Sequence, residues 1–154
     1  MIIKGFSLWQ PWAILWAIGE KELETRGKAT KYRGWLAIHA AKRRTIDQAL
    51  YFLREPYRSV LAGHGYMNFD ALPFGCVLAV GYLTKVYRTE EIRPKLSEQE
   101  LSFGDFSDGR AAWKLEHKIL LPEPIPVTGA RGLWDWEVPV RLQPYLEQAD
   151  VGGN

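Results

Sequence analysis

The sequence predicts an α+β fold, built as a small β-barrel or curved mixed sheet with two to four flanking helices. Short alternating apolar segments, typical of strands, recur along the 154 residues and are interrupted by helical segments. Strands and helices do not alternate regularly, as a parallel βαβ sheet would require. No repeat of fixed period is visible. We expect one domain over residues 1–148 and a flexible tail at 149–154.

The first segments predict a strand followed by a helix. Lys4–Trp9 is short, apolar and alternating, which is typical of a strand. Gln10 and Pro11 follow, and proline is well tolerated at a first helical position. Gly19 ends the helix. One apolar face of this helix is formed by Trp12, Leu15, Trp16 and Ile18.

A charged segment follows this helix. If it is extended, Lys21 and Thr25 share one face, and Glu24 and Arg26 share the other. An irregular backbone near Gly19 would instead bring Lys21 round to Glu24. Either geometry places opposite charges beside tryptophans, which favours a polar site. An ion-pair network that fixes the fold is the alternative.

The middle of the chain predicts a second strand and a second helix. Gly34–Ala41 is apolar and β-rich, and it ends in the basic cluster Lys42–Arg44. Thr45 then has the character of a helix N-cap, with Gln48 in capping-box order. We expect this helix to end near Arg54.

The remaining segments predict further strands and a short helix. Gly75–Tyr87 is the longest β-rich stretch, and Arg93–Phe103 holds a short helix. Turn residues fill Gly104–Gly109. A strand over Arg110–Leu121 would place Trp113, Leu115 and His117 on one face. We expect it to end at Pro122, Pro124 and Pro126.

Composition favours a soluble cytoplasmic protein. Apolar residues make up 47% and charged residues 25%, enough for one core. The sequence has no apolar run of bilayer length and no signal-peptide pattern. The single cysteine, Cys76, lies in a β-rich segment and is expected in the core. The net charge of +2 does not itself indicate nucleic acid, but eight Lys or Arg lie between Lys21 and Arg44.

The pattern G-x-K-x-x-E-x-R is present as Gly19, Lys21, Glu24 and Arg26. Further blocks are Ser7–Ala13, Arg33-Gly34, Ile38–Lys42, Gly109-Arg110 with Ala112-Trp113, and Gly132–Trp134. Together they resemble the bacterial and phage branch of the ASCH domain family, which belongs to the PUA-like superfamily. The resemblance covers nearly the whole chain and implies a PUA-like β-barrel.

The resemblance also implies a cleft between the barrel and the first helix that receives single-stranded RNA, DNA or a modified nucleoside. We expect no cofactor, no metal and no membrane partner. Cations for phosphates and flat rings for bases suit such ligands. The residues expected to bind are Ser7, Trp9, Gln10, Trp12, Lys21, Glu24, Arg26, His39, Lys42, Arg43, Arg110 and Trp134.

Catalysis is the alternative to binding. Some small ASCH-like proteins resemble this chain and are amidohydrolases acting on acetylcytidine, with a lysine, a threonine and a later glutamate. Here Glu24 stands at the position of that threonine, and Thr25 is its neighbour. An enzyme would use Lys21, Glu24 and Thr25. Related members imply a ribonuclease as a further alternative.

The histidines and the tryptophans divide between core and site. His39 lies in a strand and is either a core histidine or a residue facing the cleft. His64 and His117 have no partner at metal-binding spacing. Trp9 and Trp134 are the best candidates for base stacking, since we expect Trp134 in a loop.

Overall fold

The computed structural model describes residues 1–149, which form a six-stranded mixed sheet with helices packed on its faces. The strands are β1 (Ile2–Leu8), β2 (Leu23–Arg26), β3 (Gly34–Ala40), β4 (Cys76–Arg88), β5 (Ala111–Pro126) and β6 (Leu133–Glu137). The helices are α1 (Trp12–Ala17), α2 (Ile46–Leu53), α3 (Tyr57–Gly63), α4 (Thr89–Ile92), α5 (Glu98–Ser102) and α6 (Gln143–Gln148). Short 3₁₀ helices occupy Phe69–Ala71, Arg93–Lys95 and Val140–Leu142. Apart from Ala149, the predicted tail lies outside the described residues.

The strands are ordered β2-β5-β4-β3-β1-β6. β1 and β3 are parallel, and the other neighbours are antiparallel. The α+β prediction with a mixed sheet is confirmed. Across residues 1–149 the sheet has two edges, β2 and β6, and is therefore open rather than a closed barrel. Six α-helices accompany it within the described residues, more than the two to four expected.

Both faces of the sheet are covered, and strand alternation decides which side chains meet which cover. Phe6 and Leu8 of β1 face a large core that includes Trp16 of α1 and Leu61 of α3. Ile3, on the opposite face, packs in a second core built with α6. Ser7 alternates with Phe6 and Leu8, so it faces the second side together with its β3 neighbour His39.

Two local predictions about the strands and helices have different outcomes. The N-cap prediction is confirmed, because Thr45 Oγ1 accepts the N–H of Gln48 at 3.2 Å. The predicted end of the last long strand is wrong, because β5 continues through its prolines to Pro126. β2 pairs with β5 only over Ala111–Lys114, so the later prolines lie where one side of the strand lacks a described neighbour.

His117 does not share a face with Trp113 and Leu115. Its φ is +53°, and its side chain is exposed, whereas the other two are buried. The register of β4 against β5 also shifts nearby, which breaks the alternation from which the prediction was made. No helix within residues 1–149 combines the length and apolar character needed to cross a bilayer.

Candidate functional site

The charged segment after α1 has the irregular backbone that the sequence left as an alternative. Gly19 has a φ of +88°, which glycine adopts without strain. The N–H of Lys21 then donates to the carbonyl of Leu15 at 3.0 Å. This turn directs Lys21 toward Glu24, and its Nζ lies 2.5 Å from Glu24 Oε1 and 2.5 Å from the carbonyl of Leu23.

Glu24 is shared between two cations. Its second oxygen, Oε2, lies 3.1 Å from Arg26 Nε. Arg26 also donates from Nη2 to the carbonyl of Ser7 at 2.9 Å, and its guanidinium lies over the Phe6 ring at 4.3 Å from the ring centroid. The side chains of Lys21, Glu24 and Arg26 are 1%, 10% and 35% exposed. Arg26 and the rim of the Glu24 carboxylate therefore face solvent, and Lys21 lies beneath them.

A further buried charged layer supports this segment. Glu100 accepts the backbone N–H groups of Glu22 and Leu23 at 2.7 and 3.2 Å. Burial raises the pKa of the Glu100 carboxyl. Lys118 Nζ donates to the carbonyl of Trp16 at 2.7 Å, and burial, with nearby Lys21, lowers the Lys118 pKa. Glu100 therefore holds the backbone of the charged segment, and Lys118 holds the end of α1 that precedes it.

A first cavity of about 540 Å³, here called the aromatic chamber, opens above Glu24 and Arg26. Its rings are Trp9, Trp12, Tyr51, Tyr57 and Phe103, and its polar groups include Ser7, Thr25, Ser102 and Asp105. Trp12 Nε1 donates to the Tyr57 hydroxyl at 3.1 Å, which in turn donates to the carbonyl of Ser102 at 2.9 Å. These hydrogen bonds hold the aromatic wall in place.

A second cavity of about 540 Å³, here called the cationic chamber, adjoins the first. Its cations are Arg26, Lys42 and Arg131, and its other polar side chains are Ser7, His39 and Thr128. Ser7, Trp9 and Arg26 line both chambers. The two chambers are therefore adjacent, and together they are here called the cleft. At their junction Trp9 is 48% exposed, and the guanidinium of Arg43 lies 4.7 Å from its ring centroid.

Ser7 and His39 form a hydrogen-bonded pair in the wall of the cationic chamber. Ser7 Oγ lies 2.9 Å from His39 Nδ1, and His39 Nε2 lies 2.7 Å from the carbonyl of Val127. Because a carbonyl only accepts, Nε2 carries the proton, and Nδ1 accepts from the Ser7 hydroxyl. Burial lowers the pKa of His39, which favours the neutral ring.

The solved structures that are similar to this chain include two crystal structures of ZmASCH from Zymomonas mobilis, both of point mutants. A tyrosine-to-phenylalanine mutant is 16% identical, with a TM-score of 0.46 over 80% of this chain and 75% of that chain. A serine-to-alanine mutant is 18% identical, with a TM-score of 0.45 over 80% and 72%. The chain is similar to an ASCH domain. No family model and no curated protein matches the sequence.

Most of the residues proposed from the G-x-K-x-x-E-x-R pattern and its neighbouring blocks meet at the cleft. Those that line it are Ser7, Trp9, Trp12, Glu24, Thr25, Arg26, His39 and Lys42. Arg43 contacts the cleft through Trp9. Lys21 belongs to the G-x-K-x-x-E-x-R pattern but is 1% exposed and lies beneath Glu24, to which it is ion-paired.

Three of the residues that we expected to bind a ligand make contacts within the fold. They are Gln10, Arg110 and Trp134. Gln10 is fully buried, where its Oε1 accepts the N–H of Ile14 and its Nε2 donates to the carbonyl of Pro73. Arg110 Nε donates to the carbonyl of Asp105 at 3.1 Å and lies 3.4 Å from the Asp105 carboxylate. The contacts of Gln10 hold the start of α1, and the contact of Arg110 holds the turn at residues 104–109.

Trp134 lies in β6, not in a loop as predicted. Its ring covers Gly5, where an added Cβ would come within 2.6 Å of the indole. Its Nε1 lies 3.3 Å from Ser7 Oγ, and its edge meets the His39 ring at a centroid distance of 5.4 Å. Trp134 therefore contacts both members of the Ser7–His39 pair.

Several residues that line the cleft were not predicted from the sequence to bind a ligand. Tyr51, Tyr57 and Asp105 line the aromatic chamber, and Thr128 and Arg131 line the cationic chamber. Of these residues, Arg131 could have been predicted, because it lies in the Gly-Ala-Arg-Gly loop at 129–132 and binding residues concentrate in loops. Within residues 1–149, no three His, Cys, Asp or Glu side chains are grouped as a metal site would require.

Proposed function

We propose that the protein binds single-stranded RNA or a nucleotide in the two-chambered cleft, with a base in the aromatic chamber and a phosphate in the cationic chamber. One observation carries the proposal: Trp9 and Arg26 stand at the junction of a ring-lined cavity and a cation-lined cavity. A nucleotide has the same division, since its flat base and its anionic phosphate are joined by a sugar.

The aromatic chamber suits a base for two reasons. Stacking on an aromatic side chain contributes about 1–3 kcal/mol per base. Trp9 is half exposed, so its ring is available to a base. The Glu24 carboxylate presents acceptor oxygens at the chamber floor, where they can receive N–H groups from a base edge. Lys21 and Arg26 hold that carboxylate in one orientation.

The cationic chamber suits a phosphate. Arg26, Lys42 and Arg131 come from three separate parts of the chain and line one cavity. An arginine guanidinium can donate two parallel hydrogen bonds to phosphate oxygens, and lysine adds a point charge. This clustering favours an anionic ligand despite the small net charge of +2.

The position of Lys21 supports binding rather than catalysis by this lysine. A general base must reach the proton that it removes, whereas Lys21 lies beneath Glu24 and is ion-paired to it. Thr25, the other residue in the catalytic hypothesis, accepts the N–H of Asp105 at 3.1 Å. Both side chains therefore already have partners in the fold.

The direct test is fluorescence anisotropy with a short labelled single-stranded RNA, with matched DNA, free nucleotide and free nucleoside as competitors. We expect the RNA to bind, the nucleotide to compete better than the nucleoside, and Lys42→Ala to weaken binding. Arg58→Ala, an exposed arginine on α3, is the matched control and should change nothing. Equal weakening by both variants, or no binding at all, would contradict the proposal.

A further inference from the structure

The hydroxyl of Ser7 has the hydrogen-bonding pattern of an activated nucleophile. We propose that Ser7 and His39 are a nucleophile and its general base, and that they remove an acyl group from the ribose of a nucleotide bound in the cleft. The substrate class rests on the proposed function, whereas the nucleophile–base pair rests on its own geometry. Neither residue was predicted to be catalytic from the sequence.

The bonds around Ser7 leave one electron pair free for attack. A serine hydroxyl has one hydrogen to donate and two lone pairs. Ser7 donates to His39 Nδ1 at 2.9 Å and lies 3.3 Å from the Nε1 hydrogen donor of Trp134. One lone pair remains, and Ser7 is a lining residue of both chambers.

His39 is held in the form that a general base requires. The carbonyl of Val127, 2.7 Å from Nε2, fixes the tautomer with Nδ1 unprotonated, which is the role of the third member of a catalytic triad. Trp134 packs edge-on against the ring at an angle of 90° and restricts its rotation. His39 is 3% exposed. Val127 and Trp134 are positioning residues.

The backbone of Gly129 closes over this pair. A Cβ at residue 129 would lie 2.5 Å from Ser7 Oγ and 2.7 Å from His39 Nδ1, closer than real Cβ contacts occur. Only glycine fits at this position without displacing the pair. A chain segment packed so tightly against a serine and a histidine fixes their relative geometry, as covalent catalysis requires.

The position of Ser7 indicates the group that it would attack. Ser7 lies where the aromatic and cationic chambers meet. If a base occupies the first chamber and a phosphate the second, the sugar between them lies nearest to Ser7. An acyl ester on a ribose hydroxyl would then present its carbonyl carbon to Oγ. Arg26, which lines both chambers, supplies positive charge for the oxygen anion that develops.

The reaction balances without a cofactor. Ser7 Oγ forms a bond to the carbonyl carbon while its proton moves to His39 Nδ1. The bond from that carbon to the ribose oxygen then breaks, and the ribose oxygen takes the proton from Nδ1. A water molecule next attacks the acyl-serine and gives its proton to His39, which returns it to Ser7 as the carboxylic acid leaves.

The test uses a fluorophosphonate probe on the intact protein, followed by peptide mapping by mass spectrometry. We expect the adduct on Ser7, and we expect excess adenosine monophosphate to slow its formation. His39→Gln keeps an amide group near Val127 but lacks the base, and it should slow labelling about 100-fold or more. Ser59→Ala, which removes an exposed serine of α3, should leave labelling unchanged.

A second arm incubates the protein with adenosine monophosphate acetylated on its ribose, and we expect deacetylation that Ser7→Ala abolishes. Absence of an adduct on Ser7 in a protein that still binds RNA would overturn the nucleophile and leave the proposed function standing. An adduct without deacetylation would overturn the substrate class. Because mapping locates the adduct in the unaltered protein, the result does not depend on whether a variant folds.

Discussion

Lys21 and Glu24 form a buried ion pair, with Nζ and Oε1 2.5 Å apart and side chains that are 1% and 10% exposed. In water such a pair contributes little, but a buried charge that loses its partner is costly. The pair lies directly under the cleft. We therefore expect the ion pair to stabilise the fold and to hold the Glu24 carboxylate in one orientation.

Replacing the buried lysine tests the first consequence. Lys21→Met keeps the chain length and removes the charge, and we expect a loss of about 3–5 kcal/mol in the free energy of unfolding. Urea denaturation measures it. Lys31→Met, at an exposed lysine, should stay within about 0.5 kcal/mol of the unaltered protein. If both variants unfold at the same urea concentration, Glu24 does not depend on Lys21.

Trp9 should contribute to binding and little to stability. Its side chain is 48% exposed at the junction of the chambers, so Trp9→Ala removes a stacking surface without opening the core. We expect RNA affinity to fall roughly 5- to 150-fold, which corresponds to one stacked base. Tyr145→Ala removes another exposed aromatic, 59% exposed on α6, and serves as control. An unchanged affinity in Trp9→Ala would place the base elsewhere.

The cationic chamber predicts a salt dependence. Each phosphate contact with a single strand adds about 0.7 to the slope of log affinity against log salt. Lys42→Ala and Arg131→Ala should each lower that slope by about this amount, and titrations at several salt concentrations measure it. A loss of affinity with an unchanged slope would mean that these cations do not meet phosphates.

His39 predicts a pH dependence of stability. Because its pKa in the fold lies below the ordinary 6.5, the unfolded chain binds more protons in the window below that value. The stabilisation is therefore present above pH 6.5 and is lost as the pH falls through the lowered pKa. Unfolding of the unaltered protein and of His39→Gln, compared between pH 8 and 5, isolates this residue. Parallel curves would show that His39 titrates normally.

Gly129 offers a steric test of the Ser7–His39 pair. Gly129→Ala places a methyl group 2.5 Å from Ser7 Oγ, so we expect about 1–3 kcal/mol of destabilisation and a loss of Ser7 labelling. Gly63→Ala is the matched control, since an added Cβ meets no atom within 4 Å at the end of α3. Thermal unfolding of the two variants should differ in sign or size. Equal changes in thermal stability in the two variants would mean that residues 127–132 shift to accommodate the added methyl group at little cost in free energy.

The sequence was sufficient where local chemistry decides structure. The Thr45 cap, the glycine turn at Gly19 and the strands β1 and β3 each depend on neighbouring residues, and each is present. The motif and the adjacent basic cluster also supply Glu24, Arg26 and Lys42 to the lining of the cleft. These features need no knowledge of distant partners.

Distant partners explain what the sequence could not predict. The prolines of β5 are tolerated because of how far β2 extends along that strand, which no local pattern states. Trp134 became a supporting residue because β6 pairs with β1 and sets its ring over Gly5. Tyr57 and Asp105 reach the aromatic chamber only once α3 and the turn after α5 are packed against the sheet.

Glu100 ties together parts of the chain that are 77 and 78 residues apart, by holding the amides of Leu23 and Glu22. The turn that follows its helix supplies Gly104 and Asp105 to one wall of the aromatic chamber, and the segment it holds supplies Glu24 to the floor. Wall and floor are thus clamped to each other before a ligand arrives. A ligand that enters the cleft has little conformational entropy left to remove, and more of its contact energy is retained as affinity.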